Sequence, residues 1–153
     1  MSQSALTFAP VQPEHRAALE EIVRSYYAFD GHIYDPVEQG PALDALATGA
    51  PNGYAWLIRE GDEIAGYLVI STGFSIEYGG CDGFIDELYL AEPFRDRGLG
   101  AEIMDFAERA ATGLGIRHLH LEVERHNKRA RRLYERRGYE NHDRTLMTKR
   151  LAD

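Results

Sequence analysis

The run Arg95-Asp96-Arg97-Gly98-Leu99-Gly100-Ala101 lies between a strand-like segment and the start of an amphipathic helix. Glycines in such a place let the backbone approach an anion, successive N–H groups converge on it, and the helix dipole adds roughly half a positive charge. The chemistry is that of a diphosphate-binding turn, with a plain structural loop as the alternative. A P-loop would need Gly-Lys followed by Ser or Thr, and a Rossmann turn a third glycine near Ile103; neither is present. A second concentration follows. Arg125, Lys128, Arg129, Arg131, Arg132, Arg136 and Arg137 face a single carboxylate, Glu135, either as a solvated helix face or as counter-charge to a phosphorylated ligand. His118, His120 and Glu122 alternate as one strand face would. That spacing is metal-like on paper but more often marks a solvent- or partner-facing surface, and no metal is expected. Cys81 stands alone, so it makes no intramolecular disulfide, and nothing in the sequence supplies the base a thiol nucleophile would need.

These residues need elements to hold them. Ala5 to Ala9 suits a first strand, and Pro13 to Ala28 a helix with Leu19, Ile22, Val23 and Tyr26 at helical spacing. The stretch from Phe29 to Asn52 is broken by Gly and Pro and reads as a loop-rich insertion with a short helix around Ala42 to Ala47. Tyr54 to Arg59 and Ile64 to Ser71 form an antiparallel hairpin across Glu60-Gly61-Asp62-Glu63. Phe84 to Leu90 is a further strand, with Phe84, Leu88 and Leu90 on one face and Ile85, Glu87 and Tyr89 on the other. Leu99, Ile103, Phe106, Ala107, Ala110 and Leu114 recur at helical spacing up to Gly113 or Gly115. Ile116 to Val123 alternates as a strand, and Asn127 to Arg137 is a helix stopped by Gly138. Asp143 to Leu151 suits a last strand. The order implies a mixed sheet with helices on both faces, binding ligands where strands diverge past their carboxyl ends.

With the strand Phe84-Ile85-Asp86-Glu87-Leu88-Tyr89-Leu90 before it, Arg95-x-x-Gly98-x-Gly100 resembles the acetyl-CoA pyrophosphate loop of the GNAT superfamily of N-acetyltransferases. The segment Glu124 to Tyr139, with Asn127, Ala130, Leu133-Tyr134 and Gly138-Tyr139, is similar to that family's other motif. The two span Phe84 to Leu151 in the family's order. The resemblance implies a single domain over residues 1–153 of α/β (α+β) class: a mixed, mostly antiparallel sheet of six to seven strands flanked by about four helices. It implies acetyl-CoA as co-substrate, bound by Leu88, Tyr89, Leu90, Arg95, Asp96, Arg97, Gly98, Leu99, Gly100, Ala101, Asn127, Ala130 and Tyr134. The main chain of Leu88, Tyr89 and Leu90 would pair with the pantetheine arm, and the N–H of Leu88 or Tyr89 would serve the oxyanion. Tyr134 would be the general acid, although a phenol of pKa near 10 is about 2 kcal/mol too weak an acid to protonate a thiolate fully.

An alkylamine of pKa near 10.4 is unprotonated in only about one molecule in 2,500 at pH 7, a handicap of roughly 4.6 kcal/mol. A base is therefore needed. Glu87 is best placed, directly or through a water, if its strand face looks into the cleft; Asp86 points the other way and is the fallback. Tyr26, Tyr27, Asp30, His32, Tyr34, Asp35, Glu77 and Tyr78 are aromatic and acidic, suited to an ammonium, with Tyr26, Tyr27, Tyr34, Glu77 and Tyr78 taken as the acceptor set. The expected reaction is direct acetyl transfer in a ternary complex to the primary amine of a small cation. The alternatives are a non-catalytic acyl-CoA-binding module and a protein or peptide N-acetyltransferase.

Composition bounds the rest. A chain of 153 residues, 44% hydrophobic and 27% charged, suits one soluble domain. The net charge of −8 disfavours nucleic acid and acidic membranes as partners and favours a cationic substrate. Without a leader-like or membrane-spanning run, a cytoplasmic protein is expected, monomeric or homodimeric through an edge strand near the C-terminus.

Overall fold

The computed structural model describes residues 6–152. Contacts divide the chain into two compact units, Met1–Leu121 and Glu122–Asp153.

The first unit holds β1 (Leu6–Pro10), α1 (Arg16–Phe29), α2 (Pro36–Thr48), β2 (Gly53–Glu60), β3 (Glu63–Ser75), β4 (Gly80–Leu90), α3 (Gly100–Gly113) and β5 (Leu119–His120). Of the expected first strand, Ala5 lies outside the described residues. The five strands lie in chain order in one sheet, antiparallel except for the parallel β4–β5 pair. Short connections join β2 to β3 and β3 to β4, β1 reaches its antiparallel neighbour β2 by way of α1 and α2, and the parallel pair needs a crossover, which α3 supplies.

Strand alternation sorts the core onto two faces. Ala55, Leu57, Tyr67, Val69 and Tyr89 pack with Leu19, Ile22 and Val23 of α1 and Leu43 and Ala47 of α2. The three α1 side chains are each worth about 1.5–3 kcal/mol when fully buried. The intervening Trp56 and the β1 residue Phe8 instead meet Phe106 of α3, with ring centroids 5.6 and 4.0 Å apart. Hence α1 and α2 cover one face and α3 the other.

Five expectations are corrected here. The stretch after Phe29 is not loop-rich: α2 fills Pro36–Thr48 because the Asp35 carboxylate caps Val37 N–H at 2.9 Å and Pro36 suits the first helical position. Pro41 inside this helix costs one internal hydrogen bond, and burial of Leu43 and Ala47 against the sheet outweighs it. The strand expected over Ile116 to Val123 shrinks to Leu119–His120, because only Gly83 and Phe84 of β4 pair with it. The sheet has five strands among the described residues, not six to seven. No regular element forms over 143–151, where Leu146, Met147 and Leu151 stay exposed and no apolar face is covered.

A β-bulge gives the last correction. Val69 stands opposite Glu87 while its neighbour Ile70 stands opposite Ile85, so Asp86 is the extra residue. Adjacent residues of β3 point to opposite faces. Ile85 and Glu87 therefore do too, against the parity read from the sequence.

Close approach of β3 and β4 depends on Gly66, where a Cβ would lie 1.9 Å from the Tyr89 carbonyl oxygen. The second unit, within itself, contains α4 (Lys128–Arg136), whose Asn127 side chain accepts from Ala130 N–H at 3.2 Å. Among the described residues no helix is long and apolar enough to cross a membrane.

Candidate active site

Glu87 faces α1. Its Oε1 accepts the Tyr67 hydroxyl at 2.6 Å and its Oε2 the Tyr27 hydroxyl at 2.9 Å. These residues come from three elements that only folding brings together: β4, β3 and the C-terminal turn of α1. Burial, the largest influence, pushes the Glu87 carboxyl above its ordinary range and the charge of Asp86 pushes the same way; the two phenol hydrogen bonds and His32 pull against them. Burial, then the Glu87 charge, holds both phenols well above their usual value, so Tyr27 and Tyr67 are donors only.

Above Glu87 opens a depression of about 290 Å³ lined by Tyr26, Tyr27, His32, Ile33, Gln39, Asp86 and Glu87. The bulge turns Asp86 into this depression, not away from it as the sequence parity implied. Although Asp86 keeps an exposed surface, its place in the concave wall desolvates it enough to raise its carboxyl pKa. The arrangement puts two carboxylates and two tyrosine rings around one opening, fit to take a cation and to remove a proton from it.

The expected acceptor set divides. Tyr26 and Tyr27 line the depression. Tyr34 stands behind Tyr27, ring centroids 6.1 Å apart, donating to Glu20 at 2.8 Å beneath the Arg24 guanidinium. Glu77 and Tyr78 belong to the β3–β4 connection, about 23 Å along β4 from Glu87 at 3.3 Å per residue. There Tyr78 packs on His118 and His120, and His120 pairs at 3.1 Å with the buried carboxylate of Asp82. Tyr67, Ile33 and Gln39 were not foreseen. The signal for Tyr67 was the hairpin register, which sets it opposite Tyr89 and diagonal to Glu87.

Beyond Phe84 the outer edge of β4 has no strand partner among the described residues. Backbone groups of an antiparallel strand alternate between its two edges. Ala91 N–H is given to the Ala65 carbonyl and the Tyr89 carbonyl faces Gly66, so Leu88 and Leu90 present their N–H and C=O groups at the open edge. The Leu90 carbonyl is taken at 2.6 Å by Arg95 Nε, whose guanidinium sits 4.0 Å from the Phe29 ring centroid.

Next in the chain, the turn holds Asp96 at φ 59° and Gly98 at φ 74°, and α3 starts at Gly100 without a side-chain cap. The first N–H groups of such a helix have no internal acceptor. Nothing lies within 4 Å of a Cβ built on Gly98, leaving room for an anion over the turn. Arg97 is engaged by Glu60, and Leu99 is buried. In the second unit Tyr134 packs edge-on to Tyr139 at 6.0 Å, and burial raises its phenol pKa.

Residues 16–139 match the Acetyltransferase (GNAT) family. The chain is 33% identical over 111 residues, 71% of its length and 69% of the relative's, to YycN, an uncharacterized N-acetyltransferase of Bacillus subtilis (strain 168). Its fold is similar to that of an integron cassette protein from the mobile metagenome of Cole Harbour Salt Marsh, at TM-score 0.80 and 30% identity over 95% of this chain and 91% of that one. It is also similar to AAC(6')-Iy, solved in complex with the bisubstrate analog CoA-S-monomethyl-acetylneamine, at TM-score 0.75 and 16% identity over 97% and 100% of the two chains.

Proposed function

Because this chain belongs to the GNAT family of acetyltransferases and is an acetyltransferase, we propose that it moves the acetyl group of acetyl-CoA directly to the primary amine of a small cationic acceptor, with Glu87 as base. The observation that carries this reading is the depression in which Glu87 and Asp86 lie beside the open edge of β4. The whole chain acts as one catalytic domain.

The residues present fit acetyl-CoA. Uncapped N–H groups at the start of α3, with the clear space over Gly98, suit the diphosphate, and the edge-facing N–H and C=O of Leu88 and N–H of Leu90 suit the amides of the pantetheine arm. The similarity of the segment Glu124 to Tyr139 to the family's second motif supports Asn127 and Ala130 as further contacts of acetyl-CoA. Bound there, acetyl-CoA supplies an acyl thioester reactive toward amines. Leu88 N–H, which faces the open edge while that of Tyr89 faces β3, is the donor for the thioester carbonyl oxygen.

Glu87 accepts the proton of the ammonium. Its raised pKa makes it a stronger base than an ordinary carboxylate, and assistance of this kind is worth about 10²–10⁴ in rate. Asp86 holds the cation's charge in the opening. Tyr134 hydrogen-bonds the departing thiolate. With its phenol pKa raised, it stabilises that sulfur more than it protonates it.

The test is to incubate purified protein with acetyl-CoA and polyamines, aminoglycosides, amino acids and lysine peptides while following free thiol. Release with small cationic amines supports the proposal. Modification of peptides alone would reassign the acceptor, and tight CoA binding without release from any amine would overturn the catalytic reading.

A further inference from the structure

We propose that Tyr67 is a positioning residue for the base: its hydroxyl locks Oε1 of Glu87, so that the acceptor's proton is delivered to Oε2. The inference rests on the reading of Glu87 as base and adds which oxygen works and what aims it.

The two hydroxyls on Glu87 are unequal. Tyr67 has no exposed surface, and its ring is held between Tyr26 and Tyr89, at centroid distances of 6.2 and 6.3 Å, in the core that α1 and α2 close. Its contact of 2.6 Å is in the range of a charge-assisted O–H···O⁻ bond. Tyr27 makes the longer bond, 2.9 Å, is only half-buried and lines the depression. An amine entering the opening meets Tyr27 and Oε2, and Tyr27 can yield. A proton on Oε1 would compete with the short bond from the buried Tyr67 hydroxyl and weaken it, which disfavours that oxygen as the proton's site. Tyr67 therefore leaves Oε2 as the productive site and fixes the plane of the carboxylate.

The groups facing this carboxylate are Asp86 beside it on β4, Tyr67 on β3, Tyr26 and Tyr27 on α1, and His32 after α1, which is paired with Asp30 at 2.7 Å. Of these, Tyr67 and Tyr27 each donate a hydrogen bond to Glu87.

The experiment is the pH profile of kcat/KM in wild type, Tyr67→Phe, Tyr27→Phe and Glu87→Gln, with thermal melts as a fold check. Tyr67→Phe removes a donor to the anion while keeping the ring. The acidic limb should rise by about one pH unit or more, with kcat reduced and acceptor KM little changed. Tyr27→Phe should act chiefly on acceptor KM. A limb that stays in place in folded Tyr67→Phe overturns the proposal. Should that variant fail to fold, a ring-fluorinated tyrosine at position 67 decides: a stronger donor must lower the limb, and an unmoved limb overturns the proposal. Wild-type turnover in Glu87→Gln would instead sink the base assignment itself, and the role of Tyr67 with it.

Discussion

The Arg97 guanidinium meets the Glu60 carboxylate at two points, Nη1 to Oε1 at 3.1 Å and Nη2 to Oε2 at 2.7 Å, tying the turn after β4 to the β2–β3 connection. The pair raises the Arg97 pKa through the hydrogen bond and then the charge of Glu60, and it holds a carboxylate near the turn proposed to take the diphosphate.

Removing that carboxylate should therefore help an anionic ligand. Glu60→Gln is expected to tighten coenzyme A binding a few-fold at low salt, with the gain fading as screening grows. Calorimetric titration at two ionic strengths checks it. Weaker binding in the variant would mean that Glu60 is needed to present Arg97.

Arg95, expected to hold the cofactor, sets its guanidinium on the Leu90 carbonyl and over the Phe29 ring. Arg95→Ala should lower stability by about 1–3 kcal/mol, measured by denaturant titration. A stable variant with only coenzyme A affinity lost would assign the guanidinium to the ligand instead.

Glu87 should trade stability for activity. Its pKa in the folded protein is raised, as is that of Asp86, so the folded state binds protons more tightly than the unfolded chain. These two carboxylates therefore destabilise the fold near neutral pH, and the penalty is relieved as pH falls through their raised values. Glu87→Gln should lose about 10²–10⁴ in turnover while melting no lower than wild type at pH 7. Its acid-side stability gain should also be smaller than that of wild type.

At Gly66 there is no room. Alanine would drive its Cβ into the Tyr89 carbonyl, a backbone atom with nowhere to go. The β3–β4 ladder must part, at a cost of about 1–3 kcal/mol or more, and the spacing of Leu88 and Leu90 along the open edge changes with it. A denaturant midpoint equal to wild type would contradict this packing.

Tyr134→Phe should slow turnover while leaving coenzyme A affinity close to wild type, read by steady-state kinetics beside calorimetry. Equal losses in both would make the phenol a binding group only.

What could be read without a structure was local. The turn from Arg95 to Ala101, the periodicity of α3 and the short helix after Asn127 depend on neighbours a few residues apart, and each stands where the spacing predicted. The β2–β3 hairpin was legible for the same reason, its two alternating runs being joined by a four-residue Gly-containing connection. By contrast, α2 was missed because Pro36, Gly40 and Pro41 look like breakers until Leu43 and Ala47 find a sheet to cover. The last strand expected over Asp143 to Leu151 has no covered face to support it.

The Gly-rich turn at the start of a helix, preceded by a carboxylate-bearing strand, belongs to the sequence alone. Which carboxylates share a cavity does not. One extra residue opposite Val69 and Ile70 reverses the facing of everything before it, turning Asp86 into the opening and Ile85 away from the Glu87 side. Tyr67 and Tyr27 reach Glu87 from 20 and 60 residues away along the chain. Such contacts depend on cross-strand register and helix packing, which are properties of the assembled core and have no expression in local spacing.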